Sequence, residues 1–127
     1  MRTIKFRGKS CNTGEWFYGN LYVADSFGST YIHKSMDSFL EVYSETIGQF
    51  TGLKDKNGKE IYEGDIVKWK ADNRLYAVIF NWGMFYASVE VCNQEIYGGF
   101  PLHALVGDEK GIEIVGNIYD NPELLKK

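Results

Sequence analysis

The sequence predicts a mainly β fold, and both its composition and its spacing support this. Aromatic residues make up 16% of the chain, and Tyr and Phe favour strands over helices. Fourteen glycines with only two prolines are typical of short strands joined by tight turns. Segments of strand composition recur at intervals of about ten residues, which indicates a sandwich or a barrel rather than a βαβ fold.

The N-terminal part is predicted to contain several short strands. Residues 3–9 alternate between charged or polar and apolar side chains, which indicates a half-buried strand with a charged outer face. Turns at residues 12–14 and 25–29 separate it from two further strands, over residues 15–23 and 30–33. The next segment has some apolar residues at helix-like spacing, but its β-branched members favour a strand from Leu40 onward.

Two tight turns are predicted in the middle of the chain. Asn57-Gly58 favours a type I′ hairpin turn, because both residues tolerate a positive φ. Gly64 and Asp65 form a second reversal, in which we expect the Asp65 carboxylate to bind backbone amides. We expect Glu60 and Glu63, close to this reversal, to remain in solvent.

The C-terminal half is predicted to continue as short strands with two helical turns. The strands lie over residues 66–70, 75–81, 85–91 and 112–118. One helical turn is expected at residues 102–105. The other is expected at residues 120–125, with Asp120 or Asn121 as N-cap and Pro122 at the first helical position. No internal repeat is evident in the sequence.

Three segments carry a family pattern, in order along the chain: residues 4–8, 45–67 and 114–124. The middle segment contains Thr51-Gly52-Leu53-Lys54-Asp55-Lys56-Asn57-Gly58. Together the three segments resemble the YopX family of phage and prophage proteins. The resemblance implies a mostly β fold with an SH3-like barrel, which we place at residues 49–127, after a β-rich segment at residues 1–48. It brings no catalytic or ligand-binding residues to this sequence.

Charge and hydropathy restrict the location and the partners of the protein. The net charge is −3, and neither half of the chain is basic, which disfavours nucleic-acid binding driven by bulk charge. No apolar run approaches the roughly 18 residues of a membrane span, and there is no secretory leader. We therefore expect a cytoplasmic protein of the host bacterial cell, with Cys11 and Cys92 as reduced thiols.

Catalytic motifs are not found in the sequence. Glu60, Glu63 and Asp65 place three carboxylates close together, but without the spacing of a calcium loop. His33 and His103 are isolated from other residues at metal-ligand spacing. There is no phosphate-binding loop, no dinucleotide fingerprint and no nucleophile motif. We predict that the protein is not an enzyme and needs no cofactor or metal ion. A metal-dependent enzyme is the weakest of the alternatives.

Two candidate binding surfaces remain. The first combines basic and aromatic side chains, as single-stranded nucleic-acid binding requires: Lys5, Arg7, Lys9, Trp16 and Tyr18. The alternative for its basic residues is an edge strand that resists unwanted pairing. The second surface surrounds the turn at residues 81–83 and suits a protein contact, unless its rings cap the core: Phe80, Trp82, Phe85 and Tyr86.

The sequence therefore predicts an accessory protein that binds rather than catalyses. A homo-oligomer is the favoured assembly, because an exposed aromatic patch on a small protein often marks self-association. An unidentified phage or host protein is the other expected partner. Nucleic-acid binding is the alternative function, and membrane binding is not expected.

Overall fold

The computed structural model describes residues 2–24, 28–35, 38–88, 91–92, 95–96 and 99–125. The chain forms two compact units, Met1–Gly52 and Leu53–Lys127. Both are built from antiparallel strands, so the mainly β prediction is confirmed. The predicted turn at residues 25–29 and the end of the strand predicted at residues 85–91 fall largely outside the described residues. In the described part of the chain, no helix is long and apolar enough to cross a membrane.

Unit 1 is a sheet of sequential hairpins that is completed by the pairing of its first and last strands. The strands are β1 (Phe6–Lys9), β2 (Trp16–Ala24), β3 (Ser29–Ser35), β4 (Ser38–Val42) and β5 (Gly48–Lys54). A 3₁₀ turn, Ser44–Thr46, connects β4 to β5. These strands belong to a six-stranded sheet of the order β4-β3-β2-β1-β5-β6, in which β1 lies between β2 and β5 and the sixth strand, β6 (Glu60–Tyr62), pairs with β5.

The position of β1 corrects two expectations about its charged residues. Because β1 pairs on both sides, it is not an edge strand. Arg7 is only 5% exposed, so the predicted charged outer face is wrong at this residue. Lys5 and Lys9 are half-buried. The physical reason is the non-local pairing of β1 with β5, which the alternation within residues 3–9 cannot reveal.

The interior of unit 1 lies on the face of the sheet opposite to the face that carries Arg7. Ile32 and Val42 are almost completely buried, and the Thr30 hydroxyl donates a hydrogen bond to the Val42 carbonyl at 3.0 Å. A Cβ at Gly8 would lie 2.7 Å from the Val42 side chain, so this position has room only for glycine. Close packing at Gly8 therefore sets the distance between β1 and the end of β4.

Unit 2 contains a five-stranded antiparallel sheet of the order β12-β9-β8-β7-β13, with a short separate ladder of β10 and β11. The strands are β6 (Glu60–Tyr62), β7 (Asp65–Trp69), β8 (Leu75–Asn81), β9 (Met84–Ser88), β10 (Val91–Cys92), β11 (Glu95–Ile96), β12 (Gly99–Pro101) and β13 (Ile112–Asn117). Helix α1 (Leu102–Val106) precedes β13, and a 3₁₀ turn, Pro122–Leu125, follows it. Both helical turns were predicted. The core contains Ile61, Val67, Tyr76, Val78, Ala87, Leu102, Leu105 and Ile112.

The first five strands of the six-stranded sheet have the same order as the five strands of the unit 2 sheet. In each, a fourth strand lies at one edge, the first and fifth strands pair, and a helical turn lies between the fourth and the fifth. The repeat is one of topology, since no repeat is evident in the sequence. This order is compatible with an SH3-like barrel. A closed barrel at residues 49–127 stays a prediction, because β12 and β13 are the two ends of the sheet order.

The turn at Asn57-Gly58 is not type I′. Gly58 has a φ of +82°, but Asn57 does not have a positive φ. The Gly58 N–H donates to the Asp55 carbonyl at 3.0 Å, and the Asp55 N–H donates to the Lys59 carbonyl at 2.8 Å. These bonds define a type I turn followed by a left-handed glycine. The Asp55 carboxylate favours this form, because it accepts the N–H groups of Asn57 and Lys59.

Replacing Gly58 with Val is expected to lower the free energy of unfolding by about 1–3 kcal/mol, because a β-branched residue is strained at positive φ. No atom lies within 4 Å of a Cβ built at Gly58, so the loss would be conformational rather than steric. Urea unfolding measures the change. Gly58→Asn is the control, since Asn tolerates the left-handed region and should lose much less. An unchanged midpoint for the Val variant would contradict the assigned turn.

The second predicted reversal centres on Gly64, whose φ is +95°. The Gly64 N–H donates to the Val78 carbonyl at 2.8 Å. Asp65 is buried, and its Oδ2 accepts the Tyr62 N–H at 2.8 Å. The carboxylate thus holds the backbone of the turn. Glu60 and Glu63 are half-buried, so the expectation that both lie in solvent is wrong.

Candidate functional site

The four rings of the hairpin tip, defined as Phe80, Trp82, Phe85 and Tyr86, lie at the end of the β8–β9 hairpin. Register pairs Phe80 with Phe85 directly across the hairpin, and their ring centroids are 5.1 Å apart. The Trp82 ring instead lies 5.5 Å from Tyr86, edge to face. Since Phe85 and Tyr86 are adjacent in a strand, the two pairs occupy opposite faces of the hairpin. The structure therefore divides the predicted surface in two.

Trp82 is the most exposed member of the hairpin tip. It is 69% exposed and has a φ of +50°, and the following Gly83 has a φ of +75°. Asn81 and Met84 pair across them, so Trp82-Gly83 is a two-residue loop with the dihedral signs of a type I′ turn. Asn81 Oδ1 accepts the Trp82 N–H at 2.9 Å and helps to hold this conformation. A bulky residue at positive φ is a genuine outlier, and strain of this kind clusters at functional sites.

Phe80 and Phe85 have a more mixed role. Phe85 packs against the core of unit 2, as a capping residue would. Phe80, its partner, is 53% exposed. Tyr86 is half-buried beneath the Trp82 ring. The tip thus presents two largely exposed rings, each supported by one half-buried ring.

The basic and aromatic residues of β1 and β2 do come together. Arg7 lies opposite Tyr18, and Lys9 lies opposite Trp16, so all four point to one face of the sheet. Their cations already lie over rings of the same unit. Arg7 Cζ is 4.7 Å and Lys9 Nζ is 5.8 Å from the Trp16 centroid, and Lys5 Nζ is 5.2 Å from that of Phe50. A base stacking on Trp16 would therefore compete with a cation–π contact.

Groups with shifted pKa values do not form an acid–base pair. Partial burial and the carboxylates of Glu41 and Glu45 raise the pKa of the Cys11 thiol, which lowers its thiolate fraction. A 2.7 Å hydrogen bond from Lys70 lowers the pKa of Glu113. Burial and a hydrogen bond to Asp72 raise the pKa of Tyr76 to about 12. All three pKa values move away from neutral pH, whereas a general acid or base works best with a pKa near neutral pH.

Metal ligands are not gathered in the described ranges: no group of three or more His, Cys, Asp or Glu side chains could hold an ion there. Among the candidates, Asp65 is committed to the Tyr62 amide. His103 is exposed on α1, whereas His33 stacks on Phe39 at 4.5 Å. The side chain of Cys92 lies outside the described residues.

Comparison with known families and structures decides the relationship. The family model described as YopX protein matches residues 5–126. The chain belongs to the YopX family. A solved structure, protein EF1440 from Enterococcus faecalis, is similar over 99% of this chain and 100% of its own, with a TM-score of 0.63 and 26% identity. No functionally curated protein matches this YopX protein.

This YopX protein has one further aromatic surface, which sequence reasoning missed. The outer aromatic patch, defined as Tyr22, Tyr31, His33 and Phe39, lies on one face of β2, β3 and β4. The Tyr22 ring lies 6.2 Å from Tyr31 and 5.7 Å from Phe39. Tyr22 and Phe39 are about half exposed. Alternation within β2 could have placed Tyr22 on the face of Tyr18. Only the register of β3 and β4 brings the other three beside it.

Proposed function

We propose that this YopX protein is a phage or prophage accessory protein that works by binding, without catalysis, and that it self-associates through the hairpin tip. The observation that carries the proposal is the Trp82 ring, which is 69% exposed in a two-residue turn at positive φ. Trp is among the residues that dominate binding energy at interfaces. Residues held in such sparsely populated backbone conformations cluster at functional sites.

The geometry of the tip favours tight binding for a second reason. The hydrogen bond from the Trp82 backbone N–H to Asn81 Oδ1 holds the turn, and the Tyr86 ring contacts the indole, before any partner arrives. A side chain that is already ordered loses less conformational entropy on binding. The exposed Phe80 ring adds apolar area on the other face of the same hairpin. Such an element suits a contact that is driven by apolar burial.

A second copy of the chain is the partner that charge favours. Residues 80–86, Phe80-Asn81-Trp82-Gly83-Met84-Phe85-Tyr86, contain no charged side chain. Two identical tips could therefore meet without like-charge repulsion, although each copy has a net charge of −3. An isologous contact of this kind is the commonest interface of homodimers.

Loss of the Trp82 ring is expected to weaken self-association by about thirtyfold, which corresponds to the roughly 2 kcal/mol of an interface hot spot. Trp82→Asn is the informative change, because Asn tolerates the backbone conformation of the turn. Size-exclusion chromatography with light scattering, over a range of protein concentrations, measures the dissociation constant. Added salt should change it little, since the contact is apolar.

Tyr22→Ser is the matched control, because it removes a ring that is 53% exposed from unit 1 and should leave the assembly intact. Thermal unfolding verifies that each variant is folded. A wild-type protein that stays monomeric at every concentration would refute self-association. A Trp82→Asn variant that assembles like the wild type would move the contact away from the hairpin tip.

Nucleic-acid binding is the second candidate, favoured by the register that places Arg7 and Lys9 beside Tyr18 and Trp16. Because Arg7 is only 5% exposed, Lys5 and Lys9 are the cations of this surface that could reach phosphates. Two phosphate contacts would give a salt slope of roughly −1.4 on single strands, and hence weak binding at physiological salt. Fluorescence anisotropy with labelled single-stranded DNA and RNA tests it. Submicromolar binding at moderate salt, lost when Lys5 and Lys9 are both changed to Ala, would favour this function over self-association.

A further inference from the structure

A cleft in unit 2 has a polar, lysine-rich lining that self-association does not use. It has a volume of about 320 Å³, at the lower end of the range of small-molecule sites. One wall is the turn that follows β5, and the other is the segment between α1 and β13. The lining residues are Lys54, Asp55, Lys56, Val106, Asp108, Glu109, Lys110, Gly111 and Ile112.

Two of the three carboxylates in this lining are already committed to N–H donors. Asp55 Oδ1 accepts two turn amides, and its Oδ2 accepts the Ile114 N–H at 3.1 Å. Asp108 Oδ2 accepts the Trp69 indole N–H at 3.3 Å and the Lys110 N–H at 3.1 Å. These two carboxylates are therefore held in place by N–H groups of unit 2.

The lysines of the lining form no ion pair with Asp55 or Asp108. Lys54, Lys56 and Lys110 form no ion pair with any residue that the structure describes. Glu113, which lies near Lys56, is paired with Lys70 at 2.7 Å. Glu109 is the remaining carboxylate of the cleft. Three lysines therefore line one cleft, in which Glu109 is the one carboxylate that accepts no hydrogen bond from a described residue.

We propose that this cleft binds a small, multiply charged anion of the phosphate class. Lys binds phosphate groups as a compact point charge, and three such charges around one cleft suit an anion with several oxygens. The apolar side chains of Val106 and Ile112 complete the lining. The carboxylates do not form a cation site, since no metal-binding cluster occurs among the described residues.

Isothermal titration of the full chain with inorganic pyrophosphate and with inorganic phosphate, at low ionic strength, tests the proposal. We expect saturable binding to one site, stronger for pyrophosphate. Lys56→Gln and Lys110→Gln should each weaken it by about tenfold, as the loss of a charge-assisted hydrogen bond does. Glu109→Gln should strengthen it, because it removes the uncommitted carboxylate.

Lys59→Gln is the matched control, since Lys59 is exposed in the same turn but does not line the cleft. The affinity of this variant for pyrophosphate should remain within about twofold of that of the wild type, because surface charges at a distance are screened. In a heteronuclear NMR titration, the Trp69 indole resonance should shift with pyrophosphate, and that of Trp82 should not. Such a result would be independent of whether the hairpin tip mediates self-association.

Two outcomes would overturn the anion site. One is the absence of saturable binding to the wild type. The other is an equal loss of affinity in the Lys59 control, which would show attraction by surface charge in general. Tighter binding of Mg²⁺ or Ca²⁺ than of pyrophosphate, abolished by Glu109→Gln, would replace it with a cation site. Unfolding curves of the four variants verify that their folds are intact.

Discussion

Replacing Asp55 with Ala is expected to lower the free energy of unfolding by about 3 kcal/mol or more. The side chain is 7% exposed and accepts backbone N–H groups from Asn57, Lys59 and Ile114. An N–H group left without its acceptor costs about 1–3 kcal/mol when water cannot replace the partner. The bond to Ile114 also joins the turn to β13, 59 residues further along the chain. Urea unfolding measures the loss.

Asp55→Asn separates the hydrogen bonds from the packing. The amide keeps one oxygen acceptor in the same volume, so this variant should fall between the wild type and Asp55→Ala. The order wild type, Asn, Ala is the expected ranking of unfolding midpoints. An Ala variant as stable as the wild type would mean that the three N–H groups find other acceptors.

Gly19→Ala is expected to give the second largest loss, about 1–3 kcal/mol, as overpacked sites do. A Cβ at this position would lie 2.6 Å from the His33 carbonyl oxygen. That oxygen belongs to the backbone of β3, which pairs with β2 at this point. No side-chain rotation can relieve the contact, so the two strands would have to move apart. Thermal unfolding followed by circular dichroism measures the effect.

The neighbouring residue supplies the comparison. Asn20 is exposed on the same strand, and Asn20→Ala should change stability by no more than about 0.5 kcal/mol. Equal midpoints for the two variants would contradict the close approach of β2 and β3 at Gly19. A large loss confined to Gly19→Ala would support it.

Local patterns predicted β1 to β3, β7 to β9, β13 and both helical turns, but not β5 or β12. The strand at β8 follows from β-branched and aromatic residues, and Pro122 begins its 3₁₀ turn as expected. What local patterns missed depends on pairing between distant segments. Arg7 is buried because β1 is paired on both sides, by β2 and by β5. Alternation within one strand shows which residues share a face but not what lies beside that face.

The two glycine-containing turns show why residue propensity alone predicted the type I′ turn at the wrong loop. Asn57-Gly58 has the favoured residues, yet the Asp55 carboxylate stabilises a different turn. Trp82-Gly83 has an unfavourable residue at the first position and still adopts positive φ at both. There the direct pairing of Asn81 with Met84 leaves only two residues for the loop. Strand register determined the conformation in place of residue preference.

The candidate sites were predictable to different degrees. The aromatic composition of residues 80–86 identified the hairpin tip, but only the register revealed its two faces. The outer aromatic patch needs three aligned strands, of which β2 alone was informative. The cleft brings Lys56 together with Lys110, and nothing in the sequence between them indicates that they meet.

The shared strand order of the two units has a consequence for how each one folds. Neighbouring strands in the order mostly follow one another along the chain, so hairpins can form early at little entropic cost. The exception is the pairing of the first strand with the fifth, β1 with β5 and β7 with β13. Each unit thus has one late, long-range step, which we expect to limit its folding rate. The same pairing places Phe6 opposite Gln49 and Asp65 opposite Asn117, so in each sheet the first strand begins beside a strand that is made roughly 40 to 50 residues later.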